Sequence, residues 1–431
     1  MKPFLFVLII STLLIVVHGS EVLSQMPGYN DPPPLGMESF RHRRQVLLDS
    51  LEEGTAVLYS NGRQTDSGYR AGEDFWYLTG LDEPGAILVL APGEVDAQII
   101  LLEPRDIEAE RWTGLRPSLT ESLQVAWGVD RVFRANRLNR TMVTNMKHSP
   151  VLHLISSLVS PGAAVPKDME LYGDVRARIP GVSLKNSSRL IETMRMVKTD
   201  AEIAAIEKAI AVTHQGITDL LAAVEPGIGE FQLDGILEES FKRQGAQHMA
   251  FPPIVGSGKQ TTILHYERRN LPVQPGQLLL LDVGAEWDHY AADISRTIPV
   301  DGTFTEEQAK IYDIVFEAQS TAIAAVKPGV TVREVHEIAR DVIRKAGYID
   351  DFIHGTSHHL GLNVHDAADY GMPLSEGMVI TVEPGIYLPD VDIGVRIEDD
   401  VLVTRNGHRL LSSAIPRARD PVEAWVQEAR K

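Results

Sequence analysis

Cysteine is missing altogether from the 431 residues. That absence excludes disulfides, thiolate metal ligands, a cysteine nucleophile and a lipid-anchoring thiol, and it suits an oxidising compartment. Excess positive charge is missing as well. Lys and Arg number 41 against 59 Asp and Glu, a formal net charge of -18, which argues against nucleic acid and anionic membrane surfaces as partners. No phosphate loop interrupts residues 37–184. What is present is 44% hydrophobic residues, enough for sizeable cores in a length that allows two domains.

At the N-terminus, Lys2, the apolar run Phe4 to Val17 and the small-residue site Val17-His18-Gly19 have the layout of a secretory signal peptide. The run is short for a membrane span, so export is expected over retention as an uncleaved anchor. Residues 1–19 are read as the signal peptide and 20–36, with "DPPPLG" and no periodicity, as a tether. Asn139-Arg140-Thr141 and Asn186-Ser187-Ser188 are glycosylation sequons, meaningful only on a eukaryotic secretory route.

Residues 37–185 alternate in pattern. Ala56 to Ser60, Gly85 to Ala91 and Ala97 to Glu103 read as strands, Met37 to Leu51 and Leu119 to Ala126 as helices, so an α/β domain is expected. The aromatic run Asp74 to Gly80 reads as core. Residues 190–431 then turn helical. Thr199 with Glu202, Thr305 with Gln308 and Thr331 with Glu334 have capping-box spacing. Ile203, Ile206, Ile210, Ile217, Leu221 and Val224 recur at helical spacing, as do Ile311, Val315, Ala318, Ala322 and Val326.

The stretch that organises the chain is "LLLLDVGAEWDHYAADISRT", Leu278 to Thr297, which sets Asp282 and Asp293 inside an apolar hairpin. A carboxylate after four leucines points toward a dry interior and must find a cation or several hydrogen bonds. The pattern recurs: "GQLLLLDVG" from Gly276 matches "GMVITVEPG" from Gly377, and "VEPGIGEFQLDGILEESFKRQGA" matches "VKPGVTVREVHEIARDVIRKAG". The offset of roughly a hundred residues is that of a long internal repeat. Each half is a helix pair followed by strands, so an α+β fold is expected, with an antiparallel sheet covered by helices on one face and a site on the other.

In such a site Asp282 and Asp293 come from the first half, Glu383 and Glu398 from the second. Four carboxylates converging on a pseudo-twofold axis repel, and two divalent cations relieve this most simply. "FIHGTSHHLGLNVHD" offers His358 as a nitrogen ligand; four oxygens and one nitrogen favour manganese, cobalt or iron over a sulfur-bound structural zinc. His265 and His365 lie one residue off the repeat offset, whereas His289, His336 and His359 have no such support and read as ordinary histidines.

The motifs "ILHY", "LLLLDVGAEWDHYAADISRT", "HGTSHHLGLNVHD", "GMVITVEPGIY" and "GVRIEDDVLVT", with "EDFWYLTGLDEPGAILVL" upstream, resemble in order those of the pita-bread metallopeptidases, and within them aminopeptidase P. The resemblance implies a pita-bread catalytic domain and a non-catalytic, creatinase-like N-terminal domain. It implies that Asp282 binds one metal, His358 the other, and Asp293 and Glu398 bridge both. Glu383 would be a ligand and handle the proton of the attacking water. His265, His354 and His365 would line the pocket and hold the scissile carbonyl, and Arg396 would orient Glu398. The implied cofactors are two divalent ions, Mn2+ first, with Co2+, Fe2+ or Zn2+ as alternatives. The implied substrates are peptides with proline second; a dipeptidase of the same family and a metal-free module on the same scaffold are the other readings. Trp112 in "AERWTG" matches a tryptophan that can reach a neighbouring subunit, which would imply a dimer or tetramer, unless it stacks within its own domain.

Overall fold

The computed structural model describes residues 35–65 and 68–431. The expected signal peptide and most of the tether lie outside the described residues. The tether's last part does not behave as one: Leu35 is buried, in a core cluster with Phe40 and Trp76, because an apolar side chain two residues ahead of the helix Met37–Leu51 finds a hydrophobic seam. Among the described residues, no helix is long and apolar enough to cross a membrane.

The N-terminal part is built on a six-stranded sheet in the order Arg131–Arg134, Gln98–Leu102, Ile87–Leu90, Thr55–Tyr59, Val151–Leu154, Ser183–Asn186. Its three middle strands pair antiparallel, and both flanks add parallel strands. Successive residues face opposite sides of a strand, and residues two apart share a side. Val57, Val89, Ile99 and Leu101 accordingly pack with Met142, Met146 and Tyr172 of the helices Leu138–His148 and Lys167–Arg178, while Leu58, Leu88, Ile100 and Leu102 join the main core. The aromatic run forms the helix Glu73–Thr79, with Phe75, Trp76, Tyr77 and Leu78 buried as expected.

The rest is the duplicated unit. The helices Asp200–Ala223 and Glu230–Arg243 lead the first half, Glu306–Ala325 and Val332–Ala346 the second. All three expected capping boxes are formed, with the Thr199, Thr305 and Thr331 hydroxyls accepting from the backbone N–H three residues on. Each such cap stabilises by about 1 kcal/mol. The strands do not merge into one sheet, as the repeat suggested; each half carries a three-stranded sheet and a further set of short paired strands. The first orders Ile254–Ser257, Leu278–Val283, Ile294–Pro299; the second orders Val379–Val382, Asp399–Thr404, Gly407–Leu410. Leu278, Leu279, Leu280 and Leu281 are all essentially inaccessible, each worth about 1.5–3 kcal/mol of burial.

A buried ion pair stitches the halves together. Arg296 on the first returning strand meets Asp399 on the second at 2.8 Å, both fully enclosed. Its other donors go to the carbonyls of Ser295, Glu398, Pro416 and Ile415, and Asp399 also accepts from Gln319 and Ser412. With every donor used, the desolvation cost of burying these charges is offset. The pair holds the residues beside it, Ser295 and Glu398, in one place.

Candidate metal centre

Between the two sheets lies a cavity of about 270 Å³ lined by Leu264, His265, Asp282, Asp293, His354, Gly355, Ser357, His358, His365, Glu383, Arg396 and Glu398. Every residue singled out as a site candidate from sequence is on that lining. Asp282 comes from the strand Leu278–Val283, and Asp293 precedes Ile294–Pro299. Glu383 follows Val379–Val382, and Glu398 sits in the break between Ile393–Arg396 and Asp399–Thr404. Gly284 lets the first hairpin close, since a Cβ there would collide with the backbone oxygen of Ala292.

Backbone pairing fixes each second-half group. Glu383 N–H donates to the Thr356 carbonyl at 2.8 Å and Glu398 N–H to the Ser295 carbonyl at 3.1 Å. His358 is clasped by Thr381: its carbonyl accepts the Thr381 N–H at 2.9 Å, and its own N–H reaches the Thr381 hydroxyl at 3.2 Å. The His358 ring places Nδ1 3.2 Å from the His359 carbonyl and Nε2 3.3 Å from Asp293 and 3.5 Å from Glu383. With Nδ1 on a carbonyl, Nε2 is free to bind a cation.

Charge in this pocket is far from balanced. Burial, then the neighbouring Glu398 and Asp282 carboxylates, push Asp293 well above the usual carboxylate range. Burial, then Glu383 and Asp282, do the same to Glu398. Glu383 is raised to about 8, chiefly by burial, with Arg396 opposing and Asp282 adding. Burial holds the His354 and His358 imidazoles down to about 4, so both are neutral. Such acids carry protons unless a cation replaces them.

Two features test whether a cation fits. Asp282 Oδ1 and Glu398 Oε1 are buried without any hydrogen-bond partner, a costly state for a polar atom. One atom each of Asp293, His358 and Glu398 also lie within 4.8 Å of one another. Four carboxylates, one neutral imidazole and two orphaned oxygens match a hard to borderline divalent ion.

The expected role of Arg396 is corrected. Its guanidinium does not bond Glu398; it donates to Asp282 Oδ2 at 2.6 Å, to the Ser295 hydroxyl at 2.8 Å and to the Tyr387 hydroxyl at 3.1 Å. Burial alone would lower its pKa, but Tyr387, Asp282 and Glu398 outweigh that and raise it. Ser295 then passes the link on, donating to Glu398 Oε2 at 2.8 Å. Arg396 and Glu398 part because the strand ends at Arg396, so the two positions no longer share one strand face.

Sequence reasoning missed Ser295, Tyr387 and Asp400. Tyr387, which donates or accepts at 2.9 Å with His354 Nε2, is pushed up to about 12 by burial. Asp400 accepts the Asp293 N–H at 3.2 Å and is itself raised well above its ordinary value by burial. Ser295 alone carried a signal, two residues from Asp293 on the same face. Trp112 is 89% exposed, which disposes of stacking within its own domain.

The comparisons agree with this geometry. Residues 204–405 match metallopeptidase family M24, and residues 40–153 match the aminopeptidase P N-terminal domain. The Xaa-Pro aminopeptidase of Escherichia coli is 31% identical, over 92% of this chain and 99% of that protein. That of Haemophilus influenzae is 32% identical, over 90% and 97%. A solved substrate complex of an Escherichia coli aminopeptidase P variant superposes with a TM-score of 0.83 at 31% identity, over 92% of this chain and 99% of that one. Fold, site chemistry and likeness together make the chain a member of metallopeptidase family M24, of the aminopeptidase P kind, and a metallo-aminopeptidase hydrolase that depends on divalent metal.

Proposed function

We propose that the chain releases the first residue from peptides whose second residue is proline, using two divalent ions, Mn2+ first. The observation that carries this is the single cavity lined by Asp282, Asp293, His358, Glu383 and Glu398, two of whose buried oxygens lack partners. Those five side chains would hold the ions, which when bound supply an acidified water and a Lewis acid for the peptide carbonyl.

The chain's own groups do the rest. Glu383, on the cavity lining with Oε1 3.5 Å from His358 Nε2, is placed to take the proton of the attacking water and hand it to the departing proline nitrogen. Neutral His354 donates Nδ1–H to the Gly355 carbonyl and accepts from the Tyr387 hydroxyl at Nε2, so on the cavity lining it falls to His265 and His365 to offer an N–H to the developing oxyanion. Arg396 holds Asp282 Oδ2 by a charge-assisted hydrogen bond at 2.6 Å and so fixes how that carboxylate meets the cavity. The preference for proline rests on the names of the relatives.

The test is release of the first residue from a Xaa-Pro-Xaa tripeptide by chelated protein, with and without added Mn2+. Metal-dependent release is expected. Cleavage of Xaa-Pro dipeptides alone would mean a dipeptidase, and no hydrolysis with metal bound would sink the reading.

Two finer points go with it. Export follows from Lys2 and the apolar run Phe4 to Val17; N-terminal sequencing of protein recovered outside the cytoplasm should find residues 1–19 removed. Self-association is supported by Trp112, Ile107, Leu115 and Val125, exposed by 89%, 71%, 82% and 76%, apolar side chains that a second copy would cover. Trp112→Ala should weaken the oligomer in sedimentation; unchanged assembly would count against it.

A further inference from the structure

The segment Gly68–Thr79 belongs to the domain with no catalytic group, yet two of its charged side chains reach the metal centre's supports. Arg70 is buried, and its donors all point across the domain seam or to Glu73. Nε donates to both oxygens of Glu286 at 3.1 Å, Nη2 lies 2.9 Å from the same carboxylate, and Nη2 also donates to the Leu362 carbonyl at 3.2 Å. Glu286 lies between Asp282 and Asp293, and Leu362 between His358 and His365. One guanidinium therefore touches both ligand-bearing segments.

Asp74 reaches the second of these by another route. It accepts from Arg195 Nη1 at 2.7 Å, and Arg195 Nη2 lies 2.5 Å from Asp366, which also meets Lys198 at 3.2 Å. The Asp366 N–H in turn donates to the His359 carbonyl, the same oxygen that His358 Nδ1 approaches. The segments are tied to each other by the Ala291 N–H on the Gly361 carbonyl at 2.8 Å. At the hairpin tip His289 stacks on Trp76 at 4.3 Å and sets Nε2 2.8 Å from Asp82.

We infer that Arg70 is a positioning residue, through which the N-terminal domain sets the spacing between Asp293 of the first half and His358 of the second. The inference rests on the metal centre proposed above. A ligand's outer partners decide whether it is held in binding geometry, and losing one typically weakens metal binding about 10–100-fold. A guanidinium suits the task because its planar fork serves a carboxylate and a carbonyl at once, which an ammonium cannot.

The test uses the full chain. Arg70→Met paired with Glu286→Gln removes the clamp without leaving a buried charge alone. Mn2+ titration of chelated protein, well below the melting temperature, is expected to show binding about 10–100-fold weaker. Hydrogen exchange on metal-free protein is expected to show the Ala291 and Asp366 amides at least about tenfold less protected, and kcat is expected to fall more than KM rises. A folded double variant with wild-type Mn2+ affinity and wild-type exchange would overturn the inference. Should the double variant fail to fold, Arg70→Lys, which keeps the charge but not the planar fork, carries the same readouts, with a severalfold loss expected and wild-type values overturning it. Wild-type protein that binds no Mn2+ would sink the metal reading instead, and the exchange arm, made without metal, separates the two failures.

Discussion

The two halves of the duplicated unit share helices, hairpin and bounding glycines, but they differ at one sheet edge. In the first half the strand Leu278–Val283 is flanked by the regular strand Ile254–Ser257, with Ile254 opposite Asp282. In the second, the equivalent edge keeps register, with Thr356, His358 and Leu360 joined to Glu383, Thr381 and Val379 by backbone hydrogen bonds, but it is interrupted where the His358 N–H turns to the Thr381 hydroxyl, and His359 with Ile380 is left as a lone bridge. That interrupted edge carries His354, His358 and His365. The first half thus supplies oxygen ligands on a rigid frame. The second gives up backbone regularity to bring nitrogen to the same cavity, and Thr381, His336 and the N-terminal domain restore the order lost there.

The largest break in this comparison should come from ligands. Asp282→Ala or His358→Ala should each lower kcat/KM by far more than the roughly 100-fold typical of outer partners, with circular dichroism unchanged; retained turnover in either would end the shared-site view. Next come the supports. Ser295→Ala cuts the link from Arg396 to Glu398, and should cost about 10–100-fold in activity or metal affinity, measured as kcat against added Mn2+. A regular edge should behave otherwise: Val255→Ala, on the first-half strand, should destabilise by about 2 kcal/mol in denaturant unfolding while kcat stays within a few-fold.

The acidity of the site gives a subtler asymmetry. Glu383 is raised to about 8, so between the ordinary carboxylate range and that value the folded protein binds more protons than the unfolded chain. Metal-free protein should therefore lose stability as pH rises from about 5 to 8. Added Mn2+ should stabilise more strongly over the same range, because each ion must displace protons. Melting temperatures measured with and without metal at several pH values check this; parallel curves would refute it. Smallest of all, Thr199→Ala and Thr305→Ala should each cost about 1 kcal/mol and leave kcat alone, since neither cap is on the cavity lining.

Much of this was legible before any coordinates. Capping boxes are local, so Thr199, Thr305 and Thr331 could be read directly. The repeat foretold which acidic residues would meet, because two copies of "G-apolar-acid-x-G" constrain each other. What escaped was whatever depends on a chain break or on a distant partner. The break after Arg396 reassigned its guanidinium from a near neighbour in sequence to Asp282, 114 residues away. Ser295 joins Arg396 and Glu398, 101 and 103 residues off, through a hydroxyl that no periodicity marks. Asp400 carried no mark in the sequence, yet it is wholly enclosed against Asp293.

The glycines that frame the first repeat motif look interchangeable on paper and are not. Gly276 has a left-handed φ of 76° with open space around it, so alanine there pays only a conformational toll of about 1 kcal/mol. At Gly284 the obstacle is volume: even one methyl group would wedge the neck of the acid-bearing loop apart. A saturation screen should therefore find tolerance at the first position and a wall at the second, where the mildest replacement in organic chemistry is already too large.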